Sequence, residues 1–208
     1  MRFRTASIFV IGIVACVLVA WGLVSLVRVA PPSTTSKSQS GVVNTGDVKF
    51  GGAFTLTDHT GKRVRDTDFH GRNMLVFFGY TFCPDVCPTE LQIIARAVDI
   101  LGKKASNLVP VFITIDPARD TPTQLAPYVA AFHPRLVGMT GSQKEISAIA
   151  KAYKVSARKA PGSGKDSKEY LMDHTSFMYL MGPDGQLRAL FRAGIKPEIL
   201  AREIAARL

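Results

Sequence analysis

Cysteine is scarce in this chain, with three in 208 residues, so no network of disulfides staples the fold. No internal repeat is evident, which sets aside a stacked array of small units. Acidic residues are outnumbered, 16 against 26 basic, for a net charge of +10. No basic stripe interleaves with aromatic side chains, so this charge does not point to nucleic acid. It reads as a solvated basic surface, or as attraction to anionic lipid beside a membrane anchor. Long uncharged runs are also missing, with one exception.

That exception is residues 7–27, which contain no charge. About 21 residues of helix at 1.5 Å rise span roughly 31 Å, close to the ~30 Å hydrocarbon core of a bilayer. The apolar region of a cleaved secretory signal runs only about 7 to 15 residues, so a single transmembrane anchor is expected. A lipoprotein reading takes Ile13-Val14-Ala15-Cys16 as a cleavage site with Cys16 acylated, but the apolar run continues through Trp21. Arg2 and Arg4 precede the stretch and Arg28 follows it, which favours a cytoplasmic N-terminus. The rest then lies on the periplasmic or other extracytoplasmic side of the inner (cytoplasmic) membrane. The chain divides into a short basic segment 1–6, an anchor 7–27, a flexible linker 28–46 and a folded domain 47–208. About 15 flexible linker residues reach near 20 Å, which keeps the domain close to the membrane.

Within the domain, Phe54 and Leu56 alternate with polar residues ahead of turn chemistry at 57–62 and Val64, as in an opening hairpin. Residues 74–78 form an apolar run that predicts a buried strand. Pro88 suits a first helical position, and Leu91, Ile94, Val98 and Leu101 recur at helical spacing as far as Lys104. Residues 109–115 read as a strand buried on both faces, and Thr121-Pro122 opens a helix to about Phe132. A short strand at 136–139 precedes a capping box of Ser142 and Glu145 and a third helix containing Ile146, Ile149 and Tyr153. Strands at 177–181 and 187–191 flank a Gly-Pro-Asp-Gly turn, and a last helix opens near Pro197. This order implies an α/β domain with a central mixed sheet flanked by helices, a thioredoxin-like fold.

Cys16 falls in the anchor, so only Cys83 and Cys87 can carry chemistry in the domain. They lie between a buried strand and a helix, where open α/β sheets present reactive groups. The positive end of that helix is expected to favour thiolate near Cys87. Prolines follow both cysteines, which points to a tight loop before the helix rather than one helical turn. A disulfide across so short a loop restricts the unfolded chain little, leaving redox chemistry and metal binding. Three residues intervene, where dithiol oxidoreductases use two.

The segment Gly79-Tyr80-Thr81-Phe82-Cys83-Pro84-Asp85-Val86-Cys87-Pro88-Thr89 closely resembles the signature of the SCO/SenC proteins. Asp116-Pro117-Ala118-Arg119-Asp120-Thr121 and Asp173-His174-Thr175-Ser176 resemble further segments of the same family, and the likeness runs from about Lys49 to the C-terminus. The resemblance implies a copper-binding assembly factor of respiratory haem-copper oxidases, with a metal site of two cysteines and one histidine. By motif position these are Cys83, Cys87 and His174. Soft thiolates suit Cu(I), and imidazole serves Cu(I) or Cu(II).

The function expected from the resemblance is that of a membrane-anchored metallochaperone, not an enzyme, which passes copper to the dinuclear centre of an oxidase subunit and relies on a thiol reductant protein. The first alternative is a thiol-disulfide reductase using Cys83 and Cys87. A peroxiredoxin-like peroxidase and a copper or redox sensor are more distant ones. His59, His70 and His133 read as surface residues. Asp116, Arg119 and Asp120 are expected at the same sheet edge as the cysteines, as a loop-fixing ion pair or as groups that orient a ligand or meet a partner. Met172 offers a further soft sulfur.

Overall fold

The computed structural model describes residues 41–161 and 170–208; the expected anchor and most of the linker lie outside these residues. At its centre are two strands whose side chains leave little surface for water. Strand β4 (Asn73–Gly79) is buried at every position and β5 (Leu108–Thr114) at all but one. Their β-branched and aromatic residues suit a strand covered on both faces. The two run parallel, with Phe77 beside Phe112 and Gly79 beside Thr114.

Antiparallel and parallel neighbours extend this pair. Strands β1 (Val42–Val43), β2 (Thr55–Asp58), β3 (Arg63–Arg65), β6 (Val137–Thr140), β9 (Phe177–Met181) and β10 (Leu187–Arg192) complete an eight-stranded sheet in the order β1-β10-β9-β4-β5-β6-β2-β3. A separate ribbon pairs β7 (Ala157–Lys159) with β8 (Met172–His174). The helices are α1 (Val86–Leu101), α2 (Pro122–Ala130), α3 (Gln143–Ala152) and α4 (Pro197–Ala205). They cover the sheet, α1 packing with α4, α2 on β6 and α3 on β2. The expected mixed α/β architecture with flanking helices is therefore the one observed.

Local chemistry explains the helix ends. Thr121 caps α2 by accepting from the Gln124 N–H, and Ser142 and Glu145 form the reciprocal box that opens α3. Buried Leu91, Ile94, Ala97, Val98 and Leu101 form the inner stripe of α1. On the other part of the core Phe78, Tyr153 and Tyr179 meet with ring centroids 5.2 to 5.9 Å apart.

Three features differ from the sequence reading. Helix α1 begins at Val86, two residues before Pro88, and takes Cys87 into its first turn. The first N–H groups of a helix have no internal partner, so Pro88 forfeits no hydrogen bond there. Val42 and Val43, inside the segment read as linker, pair with Phe191 and Leu190 at the sheet edge. The β7–β8 ribbon was not expected, because its strands are short and largely exposed. Among the described residues no helix is long and apolar enough to cross a membrane.

Candidate metal centre

Because β4 and β5 are parallel, the segments that follow them emerge at the same edge. The Ile115 N–H bonds the Gly79 carbonyl at 2.8 Å, which ties the two exits together. After Gly79 the chain turns through Tyr80 to Asp85, with the Cys83 N–H on the Tyr80 carbonyl at 3.3 Å, and enters α1. Cys83 is half-buried on this turn and Cys87 is fully buried beneath it; both are free thiols.

The helix N-terminus acts on the cysteines differently from expectation. The Cys87 backbone N–H, one of the unpartnered donors of the first turn, points at Cys83 Sγ, 3.4 Å away. The Cys87 side chain turns into the core, and a Cβ on Gly79 would come within 2.8 Å of its sulfur. Burial pushes the Cys87 thiol up, against the Tyr80 backbone N–H that pulls it down. Removal from water outweighs the dipole, so thiolate is disfavoured at Cys87.

His174 ends β8 and its Nε2 lies 3.5 Å from Cys87 Sγ. The other ring nitrogen, Nδ1, is 3.1 Å from the Thr175 carbonyl oxygen. A carbonyl only accepts, so Nδ1 carries the proton and the Nε2 lone pair faces the thiol. Burial pushes the imidazole below its ordinary range, while the bond to Thr175 pulls the other way. The result is a neutral thiol–imidazole pair. Edge contacts to Phe77 and Tyr80, with centroids 6.3 and 6.1 Å away, hold the ring.

The structure thus brings the three predicted residues to one sheet edge as two adjoining pairs, Cys83 with Cys87 and Cys87 with His174. Among the described residues no three His, Cys, Asp or Glu side chains are already gathered tightly enough to hold an ion. The donor chemistry is nevertheless that of a soft-metal site, two sulfurs and one imidazole nitrogen. Uptake of a metal would displace the Cys87 proton.

The neighbouring residues sort clearly. Asp120 is fully buried and accepts from the Thr81 N–H at 2.9 Å and hydroxyl at 2.5 Å, and from the Thr114 hydroxyl at 2.6 Å. It fastens the cysteine turn to the end of β5, and burial pushes its carboxyl up despite these bonds. Asp116 and Arg119 form an ion pair. Met172 lines a groove of about 330 Å³ with Ile115, Ile146 and Val155. His70 is exposed as read, but His59 and His133 are half-buried and accept from the Gly138 and Arg135 N–H groups. Tyr80, within the cysteine motif, and Tyr170 carry no sequence sign of the contacts their hydroxyls make, with the Met172 N–H and with Asp116.

A mixed sheet that presents two thiols and an imidazole at the carboxyl edge of its central strands defines a thioredoxin-like thiol–imidazole protein. The chain belongs to the SCO1/SenC family, whose model matches residues 43–208. It is 43% identical over 162 residues to Protein sco1 of Schizosaccharomyces pombe, covering 77% of this chain and 62% of that relative's length. The structure of Bradyrhizobium japonicum ScoI with copper bound is 41% identical, with a TM-score of 0.70 over 76% of this chain and 99% of that one. BsSco, a member of the Sco family of cytochrome c oxidase assembly proteins in which a disulfide switch was identified, is 26% identical, with a TM-score of 0.59 over 76% and 94%.

Proposed function

We propose that the protein is a membrane-anchored copper metallochaperone that binds copper through Cys83, Cys87 and His174 and passes it to the dinuclear copper centre of a respiratory haem-copper oxidase. One observation carries this reading: His174 Nε2 stands 3.5 Å from Cys87 Sγ, with Cys83 Sγ against the Cys87 N–H. Three donors of this kind leave coordination open for hand-over. The large apolar residues Phe82, Val86 and Leu171 are 48%, 40% and 40% exposed, and each lies within three residues of one donor. That apolar rim fits contact with the receiving subunit. Family membership and the copper-bound Bradyrhizobium relative support the same cargo. The anchor at 7–27 would hold the domain on the extracytoplasmic side, within reach of a membrane-bound oxidase.

The decisive experiment is an oxygen-free Cu(I) titration of the reduced protein. One equivalent should bind tightly, Cys83→Ser and Cys87→Ser should abolish tight binding, and His174→Ala should weaken it. Unchanged affinity in His174→Ala would remove that residue from the ligand set. In cells, loss of the protein should leave the oxidase short of its dinuclear copper, and Cys83→Ser should not restore it.

Thiol-disulfide exchange is a second reading, favoured by the adjacency of two free thiols. Cys83, the more accessible, would attack a substrate disulfide, and Cys87 would release the reduced product. Two electrons and two protons leave the pair, which becomes a Cys83–Cys87 disulfide. A thiol reductant protein would then regenerate it. Insulin reduction at a rate well above that of the Cys83→Ser variant would support this role.

A further inference from the structure

Neither donor arm belongs to the eight-stranded sheet. The cysteines sit on a turn and in the first turn of α1, while His174 stands on a ribbon whose two strands pair only with each other. Side chains that bridge the two arms therefore help set how far His174 stands from the sulfurs.

One side chain touches both arms. Arg119 is 17% exposed and ion-paired through Nε with Asp116. Its Nη1 donates to the Tyr170 carbonyl at 2.9 Å, and its guanidinium carbon lies 3.7 Å from the Tyr170 ring centroid. The same carbon lies 4.8 Å from the centroid of Phe82, the residue before Cys83, and 5.7 Å from that of Tyr80. Tyr170 in turn donates from its hydroxyl to the second Asp116 oxygen at 2.6 Å. Two residues later β8 begins, with the Met172 N–H on the Tyr80 hydroxyl at 3.1 Å. The histidine strand is thus pinned at its start to β5's exit loop and to the residues that flank the cysteines.

We propose that Arg119 is a positioning residue that sets where His174 stands against Cys83 and Cys87. This rests on the reading of those three residues as the copper ligands. A planar fork that ion-pairs, donates and stacks at once fixes both distance and orientation, which a lysine cannot do.

The test uses the full-length reduced protein in detergent, with Cu(I) affinity measured by chelator competition for wild type, Arg119→Gln, Arg119→Lys, His174→Ala and Arg119→Gln/His174→Ala. Both Arg119 variants should bind about 10- to 100-fold more weakly, the range for residues that orient a ligand. The double variant should be no weaker than His174→Ala alone, because Arg119 acts through the imidazole. Nitrogen NMR of the protein without added copper supplies a second reading: His174 in Arg119→Gln should lose the Nδ1-protonated signature of wild type. Wild-type affinity in both Arg119 variants, or losses that add in the double variant, overturns the proposal. If His174→Ala binds like wild type, the ligand reading fails by itself, and an unchanged His174 spectrum in Arg119→Gln then overturns the positioning role as well. Should Arg119→Gln fail to fold, Arg119→Lys carries the same comparisons.

Discussion

Gly79 has no side chain because the Cys87 sulfur occupies that space. A Cβ there would stand 2.8 Å from Cys87 Sγ and 2.8 Å from the Phe112 ring, closer than packed atoms tolerate. Gly79→Ala is therefore expected to cost about 1 to 3 kcal/mol, the range for overpacking a full core, read from urea denaturation, and to weaken Cu(I) binding by displacing the thiol. The two cysteines should also differ chemically. Cys83 is half-buried and Cys87 fully buried, so iodoacetamide should label Cys83 much faster in the folded protein and both alike in denaturant. Equal labelling rates in the folded state, followed by mass spectrometry, would contradict the placement of Cys87. The motif alone named both cysteines as candidates, but a chain pattern cannot say which sulfur faces solvent.

Among the elements, the third helix was legible down to its cap, because Ser142 and Glu145 act within one turn. The same Glu145 also accepts from Arg63 of β3 at 2.5 Å, a link to a residue 82 positions away that no local rule reveals. The Arg63 bond and the Ser142 cap hold its carboxyl at about 2, from an ordinary 4.5. A depressed folded value contributes stability that is present above pH 4.5 and lost as pH falls toward 2. The stability gap between wild type and Glu145→Gln should thus be largest near neutrality and close in that acid window, followed by denaturant titration at each pH. Solvent screening keeps the effect small. Ser142→Ala should cost about 1 kcal/mol as a lost cap. Helix α1 was read less well: the pre-proline restriction is a preference, and the packing of Cys87, Leu91 and Ile94 overrides it. The β7–β8 ribbon is not legible in the sequence because strands of three residues are too short to establish an alternation.

For the molecule as a whole, a ligand that binds only the folded state stabilises it by mass action, about 4 kcal/mol at a thousandfold excess over Kd. Cu(I) loading should accordingly raise the thermal midpoint, by roughly 2 to 4 °C for each kcal/mol in a domain of this size. Cys83→Ser and Cys87→Ser should lose most of that rise in scanning calorimetry, and a full rise in either variant would place the copper elsewhere.

What is local was determined by the sequence alone: strand and helix periods, the caps of α2 and α3, the soft donor types of cysteine and histidine, and a motif that names their family. Distance and orientation were decided only by the tertiary structure. The Cys87–His174 contact joins residues 87 positions apart, and the turn of Cys87 into the core, the choice of Nε2 over Nδ1 and the reach of Arg119 to both arms all depend on such contacts. Short-range preferences are written into neighbouring residues, whereas these long-range positions exist only once the sheet has packed.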